Sequence, residues 1–170
     1  MEKAVNQIYL SLQKLLELHR QLLDAVTMER NALVAADLKD LLNSTQAKEG
    51  LIQLIRAQEN ERAKFTSELV MIWKRPLREL SLTNIILALQ VYDPKGAEQM
   101  QSVYTAISIL IARISETNEY NKGLVERSLE HIHQMKKNIL GEASPRSNTY
   151  TQQGQRSNNA GNSRLLSQEA

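Results

Sequence analysis

Between residues 100 and 139, the positions Met100, Tyr104, Ile107, Ile111, Ile114, Asn118, Asn121, Val125, Ser128, Ile132, Met135 and Ile139 follow one another in alternating steps of four and three. That spacing is a heptad seam, and it places all of these side chains on one face of a single helix. The seam is apolar at both ends. In its middle Asn118 and Asn121 bring an amide at each turn, and Ser128 adds a hydroxyl. Asp93-Pro94 marks the start, because aspartate caps a helix and proline is tolerated at the first helical position, where its missing N–H is not needed. Gly141 supplies the stop. A helix over residues 94–140 is roughly 70 Å long at 1.5 Å per residue. Such a length points to an elongated bundle whose far end is poorly covered by other helices.

The remaining segments also read as helices. Val5, Ile8, Leu12, Leu15, His19, Leu22 and Val26 step by three and four, flanked by Leu16 and Leu23, which predicts a first helix over about residues 3–34. The pattern restarts near Val34 to Asp37. Asp37 is a suitable N-cap, and a tight turn between antiparallel helices fits. A second helix carries Leu38, Leu41, Leu42, Leu51, Ile52, Ile55, Phe65, Leu69, Ile72 and Trp73, its apolar pattern interrupted by Glu59, Glu61, Arg62 and Lys64. It should end before Pro76, which disfavours helix at Arg75. Leu77 to Tyr92 reads as a short third helix capped by Ser81 or Thr83.

Low aromatic content, 4%, and an abundance of Leu, Gln, Glu, Lys and Ala favour an all-α fold. From Gly141 onward the composition shifts to Ser, Asn, Gln, Gly and Thr, which cannot bury enough apolar surface to offset ordering entropy. The expected organisation is therefore a helical bundle domain over residues 1–140 and a polar flexible tail over 141–170. Tyr150, with Gly154 four residues on, and Leu165-Leu166 stand out in that tail; isolated apolar residues in a polar run are either short docking elements or chance occurrences. The 21 basic and 19 acidic residues nearly balance, so no basic stripe marks the chain as a nucleic-acid binder. Zero cysteines exclude disulfides and thiolate chemistry. The amino terminus has no apolar signal-peptide region, and no apolar stretch reaches the ~18 to 20 residues that span a bilayer. A cytoplasmic protein is expected, with no direct membrane insertion.

Catalysis needs convergent titratable groups in a pocket, and the chain offers no such set. His131 and His133 are two apart, so on a helix they point in different directions and cannot share a metal as an i, i+4 pair can. His19 falls in the first helix's seam, where a hydrogen bond to a neighbouring side chain is expected. Glu59, Glu61 and Glu68 alternate with Arg62 and Lys64, as solvated helix faces do. Glu-x-x-His pairs, glycine-rich phosphate loops and Gly-x-Ser-x-Gly are all absent from the sequence. No enzyme, metal site or cofactor is expected.

Three stretches, read together, resemble the FlgN family of flagellar type III export chaperones. Lys48 to Arg62 places a lysine before spaced Leu and Ile and then Glu59-x-x-Arg62. Asn118-x-x-Asn121-x-x-Leu124-Val125, with Ile132 after it, is similar to the paired-asparagine signature of that family's last long helix. Tyr150-x-x-x-Gly154 is similar to the tyrosine-glycine element of its tails, although Thr151 stands where some relatives carry glycine. The resemblance covers essentially the whole chain. It implies a cytoplasmic chaperone that binds the carboxy-terminal helical region of hook-filament junction (hook-associated) proteins, keeps them unassembled and delivers them to the export gate. The site residues that follow are Asn118, Asn121, Leu124, Val125, Ser128, Leu129, Ile132, Met135, Ile139 and Leu140 for cargo, and Tyr150 with Gly154 for docking on the membrane protein of the gate. Read from the residues alone, paired asparagines in a heptad seam also set helix register and partner choice. The competing reading is a scaffolding coiled coil that self-associates through its long helix, with Asn118 and Asn121 pairing across a symmetry axis.

Overall fold

The computed structural model describes residues 2–74 and 76–140, apart from the side chains of Glu2, Leu77 and Leu140. Within those limits the chain is helical throughout: α1 spans Glu2–Ala35, α2 Leu38–Trp73, α3 Leu82–Tyr92 and α4 Pro94–Leu140, with a 3-10 turn at Leu77–Glu79. The described residues divide into two units, one up to Leu129 and one from Glu130 onward.

Each helix end has a local cause. Ala36 enters the left-handed region at φ 54, and the Asp37 and Ala36 amides donate back to Ala32 and Leu33 carbonyls, which closes α1 in a Schellman arrangement. The Asp37 carboxylate then accepts the amides of Lys39 and Asp40 at 2.9 and 3.0 Å and starts α2. Lys74, at φ 50, and Pro76 beyond it end that helix. In the segment Leu77 to Tyr92 the short third helix is α3, capped by Ser81 as the sequence suggests, and a single 3-10 turn precedes it. Ser81 Oγ accepts the Asn84 amide, and Asn84 Nδ2 donates to the Glu79 carbonyl, so the break between turn and helix is held by hydrogen bonds.

Asp93 joins α3 to α4. Its amide donates to the Leu89 carbonyl at 2.7 Å, while its carboxylate accepts from Gly96 N at 3.0 Å. A Cβ at Gly96 would run into that carboxylate, so the close cap depends on glycine. Asp93→Ala is expected to lower stability by about 1 kcal/mol, read as a shift of the urea midpoint at constant slope. An unchanged midpoint would mean that solvent caps α4 equally well.

Unit 1 is organised around α1, whose wide buried stripe has neighbours on two sides. Leu69 of α2, Met100 and Ile107 of α4, and Leu80, Ile85, Ile86 and Leu89 from the α3 region close over Ile8, Leu12 and Leu15. Higher along α1, Leu22 and Val26 meet Ile114, with Leu51, Ile52 and Ile55 of α2 against them. Residue numbers therefore rise together along α1 and α4, whereas α2 runs the other way. The α3 region is the plug that lets α4 restart at the end of the unit where α1 begins. Residues 130–140, described by themselves, are helical, and every described side chain there is exposed.

Candidate functional site

Up to Asn121 the seam on α4 is covered at only one of its two positions per heptad. Met100, Ile107, Ile114 and Asn121, each seven residues from the last, are buried against α1, while of the other seam positions Tyr104, Ile111 and Val125 are exposed and Asn118 is half-buried. A coiled-coil seam needs a partner on each side of its midline, and α1 serves one side only. The uncovered positions line clefts that open between α2 and α4. One, of about 570 Å³, is bordered by Arg62, Thr66, Arg78, Tyr104 and Ile111 over a floor of Leu12 and Ile107. Another, of about 350 Å³, is bordered by Leu41, Thr45, Lys48, Asn118, Lys122 and Val125 over Glu29, Leu33 and Asn121.

The two asparagines of the seam part company. Asn121 is only 4% exposed, and its Nδ2 donates to the Val26 carbonyl at 3.1 Å and to Glu29 Oε2 at 2.9 Å. Glu29 is itself buried, and its other oxygen accepts Lys48 Nζ at 2.6 Å. One polar layer thus ties α4 to α1 and α1 to α2. A carboxylate is tolerated there because it is both ion-paired and hydrogen-bonded. Both Nδ2 hydrogens are committed inside the chain, which leaves none for the pairing across a symmetry axis that a scaffolding coiled coil would make of this residue. Asn118 is half-buried and borders two clefts.

Glu29 and Lys48 were not singled out from sequence as members of a site. Glu29 carried a signal nonetheless: it continues the apolar steps Leu22 and Val26, so a carboxylate stands on the buried stripe of α1 and calls for a buried partner. His19 is buried, as its seam position suggests, but Nδ1 lies 2.7 Å from the Leu15 carbonyl and not from a neighbouring side chain. A carbonyl one turn back is the nearest acceptor a helical side chain meets. His131 and His133 are exposed.

Of the other expected cargo residues in unit 1, Leu124 is half-buried, and Val125 and Leu129 are 40% and 52% exposed. Ser128 is exposed, and its hydroxyl donates to the Leu124 carbonyl at 2.9 Å, satisfied within its own helix. In the second unit Ile132, Met135 and Ile139 are 59%, 49% and 77% exposed. The Leu140 side chain, Tyr150, Gly154 and the tail from residue 141 lie outside the described residues. Among the described residues no cluster of His, Asp and Glu could hold a metal ion, and no helix is long and apolar enough to cross a membrane.

The described residues thus define an all-helical bundle protein with clefts between its helices and large apolar side chains exposed along α4. The chain belongs to the FlgN family: the family profile, described as FlgN protein, matches residues 1–158. This is a family of flagellar export chaperones, which act in flagellum biogenesis and bind hook-associated proteins. No curated protein and no solved structure matches the chain.

Proposed function

We propose that this chain is a cytoplasmic chaperone that binds the carboxy-terminal helical region of hook-filament junction proteins, prevents their premature assembly and delivers them to the flagellar export gate. The observation that carries the reading is the exposure of the large aliphatic side chains of α4 after Leu124 whose surroundings are described: Val125 and Leu129 in the first unit and, taken by themselves, Ile132, Met135 and Ile139 in the second. Exposed apolar residues at three- and four-residue spacing suit an amphipathic helix that buries its own apolar face. Cargo termini that polymerise through such faces would be held apart by it.

The magnitudes define the kind of complex. Full burial of one such side chain is worth about 1.5–3 kcal/mol, so a half-exposed one contributes on the order of 1 kcal/mol on docking. The two in the first unit give about 2 kcal/mol and the three in the second about 3 kcal/mol, each below the lower estimates of the freedom lost on association. Aliphatic contacts along α4 alone support a weak complex, and the half-buried Asn118, which borders two clefts, is the seam amide that can add a polar contact. A releasable grip is what a delivery chaperone requires.

The test is co-purification with candidate hook-associated proteins, intact and lacking their carboxy-terminal helices, followed by mass determination. A complex that needs the cargo terminus is expected; a stable homodimer with no cargo would favour self-association instead. For delivery we assign gate docking to Tyr150 and Gly154. Tyr150→Ala is expected to reduce cargo secretion while leaving cargo affinity unchanged. Weakened cargo binding in that variant would move Tyr150 into the cargo site.

A further inference from the structure

The two clefts that open between α2 and α4 are parts of one groove. On α2 they are bordered by Leu41, Thr45 and Lys48 at one end and by Glu59, Arg62 and Thr66 at the other. With the half-buried Ile52 and Ile55 in the gap, these positions step by four and three without a break and so share one face of the helix. The opposite wall is the uncovered half of the α4 seam: Tyr104, Ile111, Asn118 and Val125, each seven residues from the last. The Thr66 end of α2 lies across from Tyr104 and the Leu41 end across from Val125, as antiparallel helices require. From Tyr104 to Val125 the groove is about 32 Å long at 1.5 Å per residue.

Shape and charge together select what fills it. Both walls are helices whose backbone groups are spent internally, so an extended chain finds no edge to pair with. A helix satisfies its own backbone, and walls with a heptad spacing accept side chains that repeat at that spacing. An isologous dimer of this chain would set groove against groove and fill neither. At the Tyr104 end the bordering charges are Arg62, Arg78 and Glu59. The Glu59 carboxylate is taken by Arg62 at 2.7 Å, whereas the exposed Arg78 has no ion pair among the described residues. At the Val125 end Glu29 is taken by Lys48, and Lys122 has only the exposed Glu119 at 3.8 Å, a weak surface pair. An incoming lysine or arginine would therefore meet cations whose carboxylates are already engaged, and an incoming acid would meet a free guanidinium.

We propose that this groove receives one amphipathic helix of about 21 residues, which packs an apolar heptad line on Ile111 and Val125 and sets an acidic residue against Arg78. The bound helix completes a four-helix arrangement with α1, α2 and α4. The assignment rests on the cargo reading above and names what that reading leaves open, namely the charge and register of the helix that is held. Apolar contact supplies the grip, and the cation at the Tyr104 end sets direction and partner choice.

The experiment uses the full chain and a synthetic peptide spanning the carboxy-terminal helical region of the hook-associated protein that co-purifies with it. Two variants alter exposed residues of the groove: Arg78→Glu reverses the free charge, and Ala63→Trp obstructs the Tyr104 end. Each is expected to lower peptide affinity about tenfold at an unchanged unfolding midpoint. Each Asp and Glu of the peptide is then replaced in turn by Lys. One position is expected to lose about tenfold on the wild-type chain and to recover that loss on Arg78→Glu, a coupling that a merely structural role for Arg78 would not produce. Full affinity in either variant, with binding still lost in Ile132→Asp, would overturn the groove while leaving the cargo reading intact. Losses in both with no peptide position that recovers on Arg78→Glu would overturn the acidic occupant. A chain that is dimeric without peptide and monomeric as Ala63→Trp would give the groove to a second copy instead. A wild-type chain that binds no form of the peptide would overturn the cargo reading and the groove's occupant together.

Discussion

Replacing Lys48 with methionine is expected to lower the unfolding free energy by about 2–3 kcal/mol, a large share of the 5–15 kcal/mol typical of a domain. The side chain of Glu29 is 12% exposed and that of Lys48 22%, with 2.6 Å between their charged atoms. Removing the ammonium leaves a nearly buried carboxylate with one neutral donor, Asn121 Nδ2, to stabilise it. The residual exposure is why the expected value falls below the 3–5 kcal/mol seen for fully buried pairs. Methionine keeps most of the aliphatic volume, so lost packing contributes little. Adding Glu29→Met to that variant should recover part of the loss. The charge that needed compensation is then gone, and Asn121 keeps its bond to the Val26 carbonyl. Denaturant titrations of the two single variants and the double variant close the cycle. A Lys48→Met chain within 0.5 kcal/mol of wild type would mean that the Glu29 carboxylate reaches water unaided, and the polar layer would lose its structural role.

Ile132→Asp is expected to abolish cargo binding, with a loss of at least a hundredfold, while helical content and unfolding midpoint stay at wild-type values. The separation of the two effects follows from exposure. In the free chain Ile132 is 59% exposed, so an aspartate there remains hydrated and costs the fold little. Under a docked apolar helix the same carboxylate would be stripped of water with no partner, a penalty of several kcal/mol. Ile132→Ala should be milder, about tenfold, because it loses contact area and introduces no charge. Calorimetric titration with the cargo terminus, alongside circular dichroism of the free variant, reads both quantities. Full affinity in Ile132→Asp would remove this part of α4 from the cargo surface.

Much of this chain was legible one helix at a time. Asp37, Ser81 and Asp93 act as caps where the sequence places them, and Pro76 lies just past the end of α2. The periodic apolar steps of α1 and α4 mark helices whose bounds lie within a residue or two of the expected ones. These features are local: a cap acts within three residues and a proline on its neighbours, so sequence order carries the whole interaction. The paired-asparagine stretch of α4 and the Tyr150-Gly154 element pointed to the FlgN family for a related reason, since a family signature is itself read along the chain.

What each seam residue does was decided elsewhere. A heptad pattern shows that Asn118 and Asn121 share a face of α4, but not that α1 covers one and leaves the other bordering clefts. Nor does it bring Glu29 and Lys48 to Asn121 from 92 residues before it in the chain and from a different helix. The helix periods alone determined which elements form and where they end, because backbone hydrogen bonds and caps close within a few residues. Which half of the seam is buried, and that a carboxylate, an ammonium and an amide meet in one layer, was decided only by the packing of α1 between α2 and α4, because burial and charge compensation depend on groups that are close in space and far apart in sequence.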